Sequence, residues 1–382
     1  MKKVSAAIAV LMATAGTAQA QSSGLTLYGV IDAALSFQTH ANPGRDSIYG
    51  LQQGGEGFLS GSRFGFKGNE DLGGGWKAGF TLENGFLADT GKLDQQGQLF
   101  GRQAFVKIGH DRYGEIALGR QYTTGNTMMY YVDPLGVGAA PSNSWQVYLV
   151  GQRYDNAISY TGTYGPWQVI AEAALGEQAG HGSARSSMSL GVKYAQGPLT
   201  VIGDAQQTND TQSRHARIYM GGAKLAVGNA NLFANYVHSS RDAGFDSSNG
   251  GTDTASITSM ASGSPTAAVG INSVFASQRR DDFYTVGANY RVTPAWLLTA
   301  ALMQNFTRAD NFSGSRSTLY GVADYSFSKR TDVYVAAVYE RAHGGWSGLF
   351  GNTTTNAAAA SGQALNGSNN QISALVGLRH LF

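Results

Sequence analysis

From Leu25 to Phe382 the sequence repeats one pattern: about ten residues of alternating apolar and polar side chains, then a connection that is short one time and long the next. A period of two puts successive side chains on opposite faces of an extended strand. In LTLYGVIDAALSF, Leu25, Leu27, Gly29, Ile31, Ala33, Leu35 and Phe37 share one face, and Thr26, Tyr28, Asp32 and Ser36 the other. The same patterning predicts strands at about 62–71, 75–86, 99–110, 113–121, 152–161, 166–175, 187–196, 198–207, 216–226, 230–239, 283–292, 295–305, 317–327, 331–340 and 371–382, sixteen with the first. A tilted strand crosses a membrane in roughly 9 to 11 residues, the length found here.

The connections point the same way. Tight turns are read at Leu72-Gly73-Gly74, Asp111-Arg112, 162–165, Gly197, Gly228-Asn229, Thr293-Pro294 and 328–330. Eight longer loops alternate with them, including 40–61, 122–151, 240–282 and 341–370. Short turns at one rim and long loops at the other are the layout of outer-membrane barrels, with the short turns periplasmic. A soluble sandwich would also alternate, with its polar face in water. The last strand favours the barrel: Ile372, Ala374, Val376, Leu378, His380 and Phe382 line one face, so an apolar row runs to a terminal aromatic.

Met1, Lys2 and Lys3, an apolar run to about Ala15 and the small-residue site Ala18-Gln19-Ala20 predict a signal peptide over 1–20 and a single barrel domain over 21–382. No later run of 18 apolar residues could form a spanning helix, and the only other structure that satisfies its backbone in lipid is a closed barrel. The 52 Gly, 19 Tyr and 17 Phe beside 14% charged residues agree with that. No cysteine is available for disulfides or thiolate metal sites. Loss of Lys2 and Lys3 with the leader leaves 25 basic against 25 acidic side chains, which gives nucleic-acid binding no support.

LTLYGVIDAALSF, SRFGFKGNEDLGGGWKAGFTLE, FGRQAFVKIG, GEIALGRQY and the ending GLRHLF together resemble the trimeric general-diffusion porins of Gram-negative bacteria, most closely the β-proteobacterial kind. The resemblance implies an all-β fold, a 16-stranded antiparallel transmembrane barrel whose long third loop folds into the lumen opposite a ladder of basic residues. It also implies a homotrimer, placed in the outer membrane among lipid and lipopolysaccharide. The barrel assembly machinery would read a signal formed by Phe382 and the outward row that includes His380. A departure stands in the third loop: where many such porins carry acidic residues in a Pro-Glu-Phe-Gly-like stretch, this chain reads Asp133-Pro134-Leu135-Gly136.

Within 122–151 Asp133 is the only charged residue. Opposite it, Arg63 and Arg153 are expected on lumen faces, with Tyr154 and Ile158 outward, and Arg102 matches the family's ladder position in GRQAFV. Asp32, Glu83 and Asp155 share lumen parities and would cancel part of that charge. Arg120 follows Ile116 and Leu118 and is expected outward at a subunit contact, where Asp89 or Asp94 of the second loop supplies its anion. Basic rows bias a pore toward anions. The expected function is a passive aqueous channel for ions and small hydrophilic solutes, inorganic anions among them, with weak anion preference. An adhesin acting through its surface loops is the alternative. The seven histidines sit mostly at loops and strand ends and show no metal-ligand spacing, so neither enzyme chemistry nor a metal or cofactor is expected. Gly73 to Ala78 imitates a dinucleotide fingerprint but leads into a strand, where no helix N-terminus can hold a pyrophosphate.

Overall fold

A computed structural model describes residues 24–40, 45–52, 59–137, 152–245, 277–310, 312–347 and 368–382. The leader assigned to 1–20 lies outside the described residues. The sheet opens with β1 (Gly24–Gln38), a short β2 (Ile48–Gln52) and β3 (Arg63–Gly73). Then come β4 (Trp76–Gly85), β5 (Gln103–His110), β6 (Gly114–Tyr122), helix α1 (Thr124–Tyr130), β7 (Arg153–Tyr164) and β8 (Trp167–Ala174). The second half runs through β9 (Ser187–Gln196), β10 (Leu199–Asn209), β11 (His215–Val227), β12 (Ala230–Arg241) and β13 (Arg279–Arg291). It ends with β14 (Trp296–Ala309), β15 (Phe312–Ser326), β16 (Thr331–Gly344) and β17 (Asn370–Leu381).

Each strand pairs antiparallel with its neighbours, and β17 returns to β1 with Val30 opposite Leu381 and Gln38 opposite Ser373. The opposite edge of β1 is shared: β3 pairs along Gly24 to Val30 and β2 along Ala34 to Gln38. β2 and β3 therefore form one interrupted stave, and the closed barrel has sixteen. Closure leaves no row of unpaired peptide groups facing lipid.

Burial is inverted relative to a soluble protein. Leu35 is 67% exposed, Val376 57% and Val286 55%, while Asp32, Asp281 and Thr307 are fully buried. Along β14, Leu298, Leu302 and Phe306 point out, and Thr299, Met303 and Thr307 point in. Rings bound this apolar belt. Trp167 meets Tyr194 at 4.8 Å and Trp296 meets Tyr325 at 4.9 Å near the turns, and Tyr236 meets Tyr284 at 4.9 Å toward the loops. Aromatic girdles of this kind mark the two membrane interfaces. A sandwich with its polar face in water is thereby excluded.

Three expectations need correction. The segment 48–52 is a strand and not loop. On the long-loop rim the connections 210–214 and 310–311 are short, because β10 and β11 reach Asn209 and His215, and β14 and β15 reach Ala309 and Phe312. The alternation fades there because Gln304, Ser313, Ser315 and Ser317 make the outer face polar above the apolar belt. Finally, Asn156 adopts φ +52° at a register shift between β6 and β7, a bulge that exchanges the faces of Tyr154 and Asp155. Tyr154, expected outward, is 1% exposed and donates to the inward Gln206 Oε1 at 3.1 Å. Asp155, expected in the lumen, turns outward to Arg120.

Candidate functional site

The register of the first strands brings one cluster together. Val30 faces Arg63, Gly65 faces Glu83 and Glu83 faces Gln103, so Arg63 and Glu83 project from adjacent staves into the barrel. Glu83 is the hub: it accepts from Tyr28 Oη at 2.9 Å and from Arg102 Nε at 2.7 Å, and Arg63 Nε lies 3.8 Å away. Arg102 sits at a bend just before β5, and this frees its side chain to turn inward. Its other nitrogen donates to Tyr122 Oη at 2.7 Å. Arg153 begins β7 above the bulge, with its guanidinium 4.8 Å from the Tyr122 ring centre. Three cations stand close together because one carboxylate and one tyrosine lie between them; without such partners their mutual repulsion in a poorly hydrated wall would be costly.

Across the interior lies the described part of the connection from β6 to β7. Thr123 caps α1 by accepting from Asn126 N at 3.1 Å. Thr124 Oγ1 donates to Asp204, and Asn235 Nδ2 donates to Val132 O at 3.1 Å. Three inward glycines make room for the segment. A methyl at Gly191 would meet Met128, one at Gly222 would meet Val132, and one at Gly287 would meet Pro134, all inside 3.0 Å. Residues 123–137 therefore rest on the inner wall of β8 to β13, with Lys193 Nζ placed 3.8 Å from the Tyr131 ring centre.

Between wall and loop is a cavity of about 490 Å³. Among its described lining residues the charged ones are Arg63, Arg102, Arg153, Arg379 and Glu83, four cations to one anion. Asp133 borders an adjoining cavity of about 360 Å³ instead. Its Oδ2 accepts from the backbone N–H of Leu135 at 3.1 Å and of Val137 at 2.8 Å. Through these two bonds the carboxylate stabilises its own turn. Asp32 is likewise committed: it accepts from Ser60 N at 2.8 Å and Tyr334 Oη at 2.6 Å.

Sequence reading had singled out neither Arg379 nor Tyr122. Arg379 had a usable signal, since parity put it on the inner face of β17, where it binds Asp332 at 3.1 Å and Asp324 at 3.3 Å. Tyr122 had none, because its role depends on two partners distant in sequence. Arg120 has outward parity as expected, but its anion is Asp155 of the same chain and its Nε donates to Gly101 O at 2.7 Å. Asp94 instead caps Gln95, its Oδ1 accepting from Gln95 N at 2.7 Å, and Asp89 is exposed. His380 pairs with Thr331 Oγ1 at 2.9 Å, and Phe382 closes the seam against Gly29. No group of His, Asp and Glu among the described residues could hold a metal ion.

Comparisons with known proteins agree with this architecture. The profile of a family described as Gram-negative porin matches residues 7–345. An outer membrane porin protein of Bordetella pertussis is 32% identical over 237 residues, which cover 56% of this chain and 61% of that protein. Outer membrane porin protein 32 of Delftia acidovorans is 37% identical over 220 residues, covering 54% and 60%. The chain thus spans about 60% of the length of the curated relatives it matches. Among solved structures, an anion-selective porin from Comamonas acidovorans superposes with a TM-score of 0.72 at 21% identity, covering 94% of this chain and 100% of that one.

Proposed function

The chain belongs to the Gram-negative porin family, and on that premise we propose that it forms a passive aqueous channel through the outer membrane with a weak preference for anions. The observation that carries this reading is the lining of the larger cavity, where the described charged residues are Arg63, Arg102, Arg153 and Arg379 against Glu83, with Arg379 held in addition by Asp324 and Asp332 of the wall. Unit charges ~10 Å apart still interact by ~0.4 kcal/mol at the dielectric of water, so an excess of two or three cations biases which ion enters. The Comamonas porin superposed above is described as anion-selective, and its likeness in fold supports the same sign here.

In this reading the third loop narrows the passage. Residues 123–137 lie on the wall of β8 to β13, so ions pass between Tyr130 and Tyr131 on one side and Arg63 and Arg102 on the other. Small hydrophilic solutes and inorganic anions are the cargo, no reaction is catalysed, and three copies assemble in the membrane. The row ending in His380 and Phe382 is the segment the assembly machinery recognises. An adhesin would need no cavity lined by arginines between wall and loop, and that lining favours the channel over it.

The test is reconstitution in a planar bilayer under a potassium chloride gradient. Ohmic steps with a zero-current potential of anionic sign are expected. Absence of steps overturns the channel, and a cationic potential overturns the selectivity.

A further inference from the structure

On the turn side of the third loop, the cavity of about 360 Å³ is lined by polar groups that the rest of the barrel does not use. Its floor is the turn-side part of β11 to β14. Lys224 stands opposite Phe233 across β11 and β12, and Asn231, Asn289 and Thr299 form one row across β12, β13 and β14. Tyr130 and Pro134 of the third loop close the cavity from the other side. Asn231 is the second residue of β12, so the cavity lies toward the turn-side mouth.

These floor groups are uncommitted. Asn231 Nδ2 donates to Asn289 Oδ1 at 2.9 Å, and that bond leaves Asn231 Oδ1 and Asn289 Nδ2 without a partner among the described residues. With the described residues, Lys224 Nζ and Thr299 Oγ1 form no hydrogen bond, and Lys224 forms no ion pair within 4.0 Å. The acids around the cavity are engaged elsewhere: Asp133 accepts from the backbone of its own turn, and Asp324 pairs with Arg379 at 3.3 Å. Among the described residues around the cavity, Lys224 is thus the one cation without an opposite charge.

The row dictates the chemistry of a ligand. Inward groups on adjacent strands are about 5 Å apart, close to the separation of hydroxyls on opposite sides of a six-membered sugar ring. Along the row stand an acceptor, a donor and a hydroxyl that is both, the complement of such hydroxyls. Tyr130, 63% exposed at the edge of the cavity, supplies an apolar ring for the C–H groups of the sugar. The Lys224 ammonium adds a partner for a carboxylate. The volume is at the lower end of the ~300 to 1,000 Å³ of ligand pockets, so it takes one ring and not a chain.

We propose that this cavity is a transit subsite for monosaccharide acids of the hexuronate type. The carboxylate meets Lys224 Nζ, and the ring hydroxyls meet Asn231 Oδ1, Asn289 Nδ2 and Thr299 Oγ1. Arg63, Arg102 and Arg153 line the other cavity and take no part. The inference deepens the channel reading and rests on it for the route by which the solute arrives.

The experiment uses the full-length purified barrel, with sodium glucuronate as the probe. Isothermal titration calorimetry of the detergent-solubilised protein should show affinity of about millimolar strength, as suits a channel that must release its cargo. Lys224→Gln should weaken it about tenfold and Asn289→Ala about threefold, the usual effects of losing a charge-assisted and a neutral hydrogen bond. Glucose, which lacks the carboxylate, and acetate, which lacks the ring hydroxyls, should each bind at least fivefold more weakly than glucuronate. In a planar bilayer, glucuronate added on the turn side should interrupt the chloride current in brief steps. The steps should vanish in Lys224→Gln with Asn289→Ala, while an unchanged open conductance shows that this variant is folded. Equal affinity in Lys224→Gln, or equal affinity for acetate or glucose, overturns the subsite. Loss of binding in Arg63→Glu with Arg153→Glu but not in Lys224→Gln would put the carboxylate at the arginine wall and overturn it as well. Calorimetric binding that needs Lys224 in a barrel without conductance supports the subsite and sinks only the channel reading, so the two failures are distinguishable.

Discussion

Phe382 and Gly29 close the barrel on each other: Gly29 N donates to Phe382 O at 3.0 Å, Phe382 N donates to Gly29 O at 3.1 Å, and the Phe382 ring occupies the space a Cβ on Gly29 would need. Two expectations separate here. Gly29→Val should displace the ring and weaken the seam by about 1–3 kcal/mol, the usual cost of overpacking a filled site. Heat modification on gels, read as the temperature at which the folded band disappears, should fall by several degrees. Deleting Phe382 should lower the yield of outer-membrane barrel further than detergent refolding is lowered, since the deletion also removes the proposed recognition residue. A normal membrane yield from the deletion would remove that proposal.

The basic wall predicts a reversible change of sign. Arg63→Glu with Arg153→Glu should move the zero-current potential toward cations and leave the barrel folded. The anion preference of the unaltered channel should shrink between 0.1 M and 1 M salt, over which the Debye length falls from ~10 Å to ~3 Å. If the double variant shows no shift, the wall does not set the field.

Glu83 offers the opposite lever. Replacing it by Gln removes the one carboxylate among the charged residues described around the larger cavity while keeping a hydrogen-bonding group near Arg102 and Tyr28. Anion preference should rise by roughly the loss of one opposing charge, a few tenths of a kcal/mol in relative permeation. A preference that falls would show that Glu83 matters mainly by holding Arg102 in place.

The seat of the third loop can be tested with neighbouring glycines. Gly222 faces Val132, and an added Cβ would lie 2.7 Å from that side chain, whereas a Cβ on Gly221 meets nothing within 4 Å. Gly222→Val should unseat the loop, changing single-channel conductance and speeding proteolysis between residues 123 and 137. Gly221→Val should do neither. Equal behaviour of the two variants would count against a loop fixed by this contact.

Asp155 should matter more for Arg120 than the second loop does. Asp155→Ala should lower the melting temperature of the barrel by a few degrees, because a guanidinium that is 8% exposed loses its carboxylate partner. Asp89→Ala with Asp94→Ala should leave Arg120 in place, as monitored by heat modification of the single barrel. The reverse ranking would restore the intersubunit assignment.

Alternation and turn chemistry in the sequence were enough to specify the staves, their direction across the membrane and the inner position of Arg63, Glu83 and Arg379, because a period of two is a local property of an extended chain. They could not place what depends on partners far away. The bulge at Asn156 reverses Tyr154 and Asp155, yet it exists only in the pairing of β7 with β6. Arg102 turns inward because Glu83 and Tyr122 are there to receive it, 19 and 20 residues away. Asp133 lies in the third loop, and the two N–H groups of its own turn that its carboxylate accepts from are set by the fold of that turn and not by any periodicity. Gly191, Gly222 and Gly287 read in the sequence as ordinary strand glycines. Only the closed barrel, which carries the third loop across to strands 60 to 160 residues further on, makes them its seat.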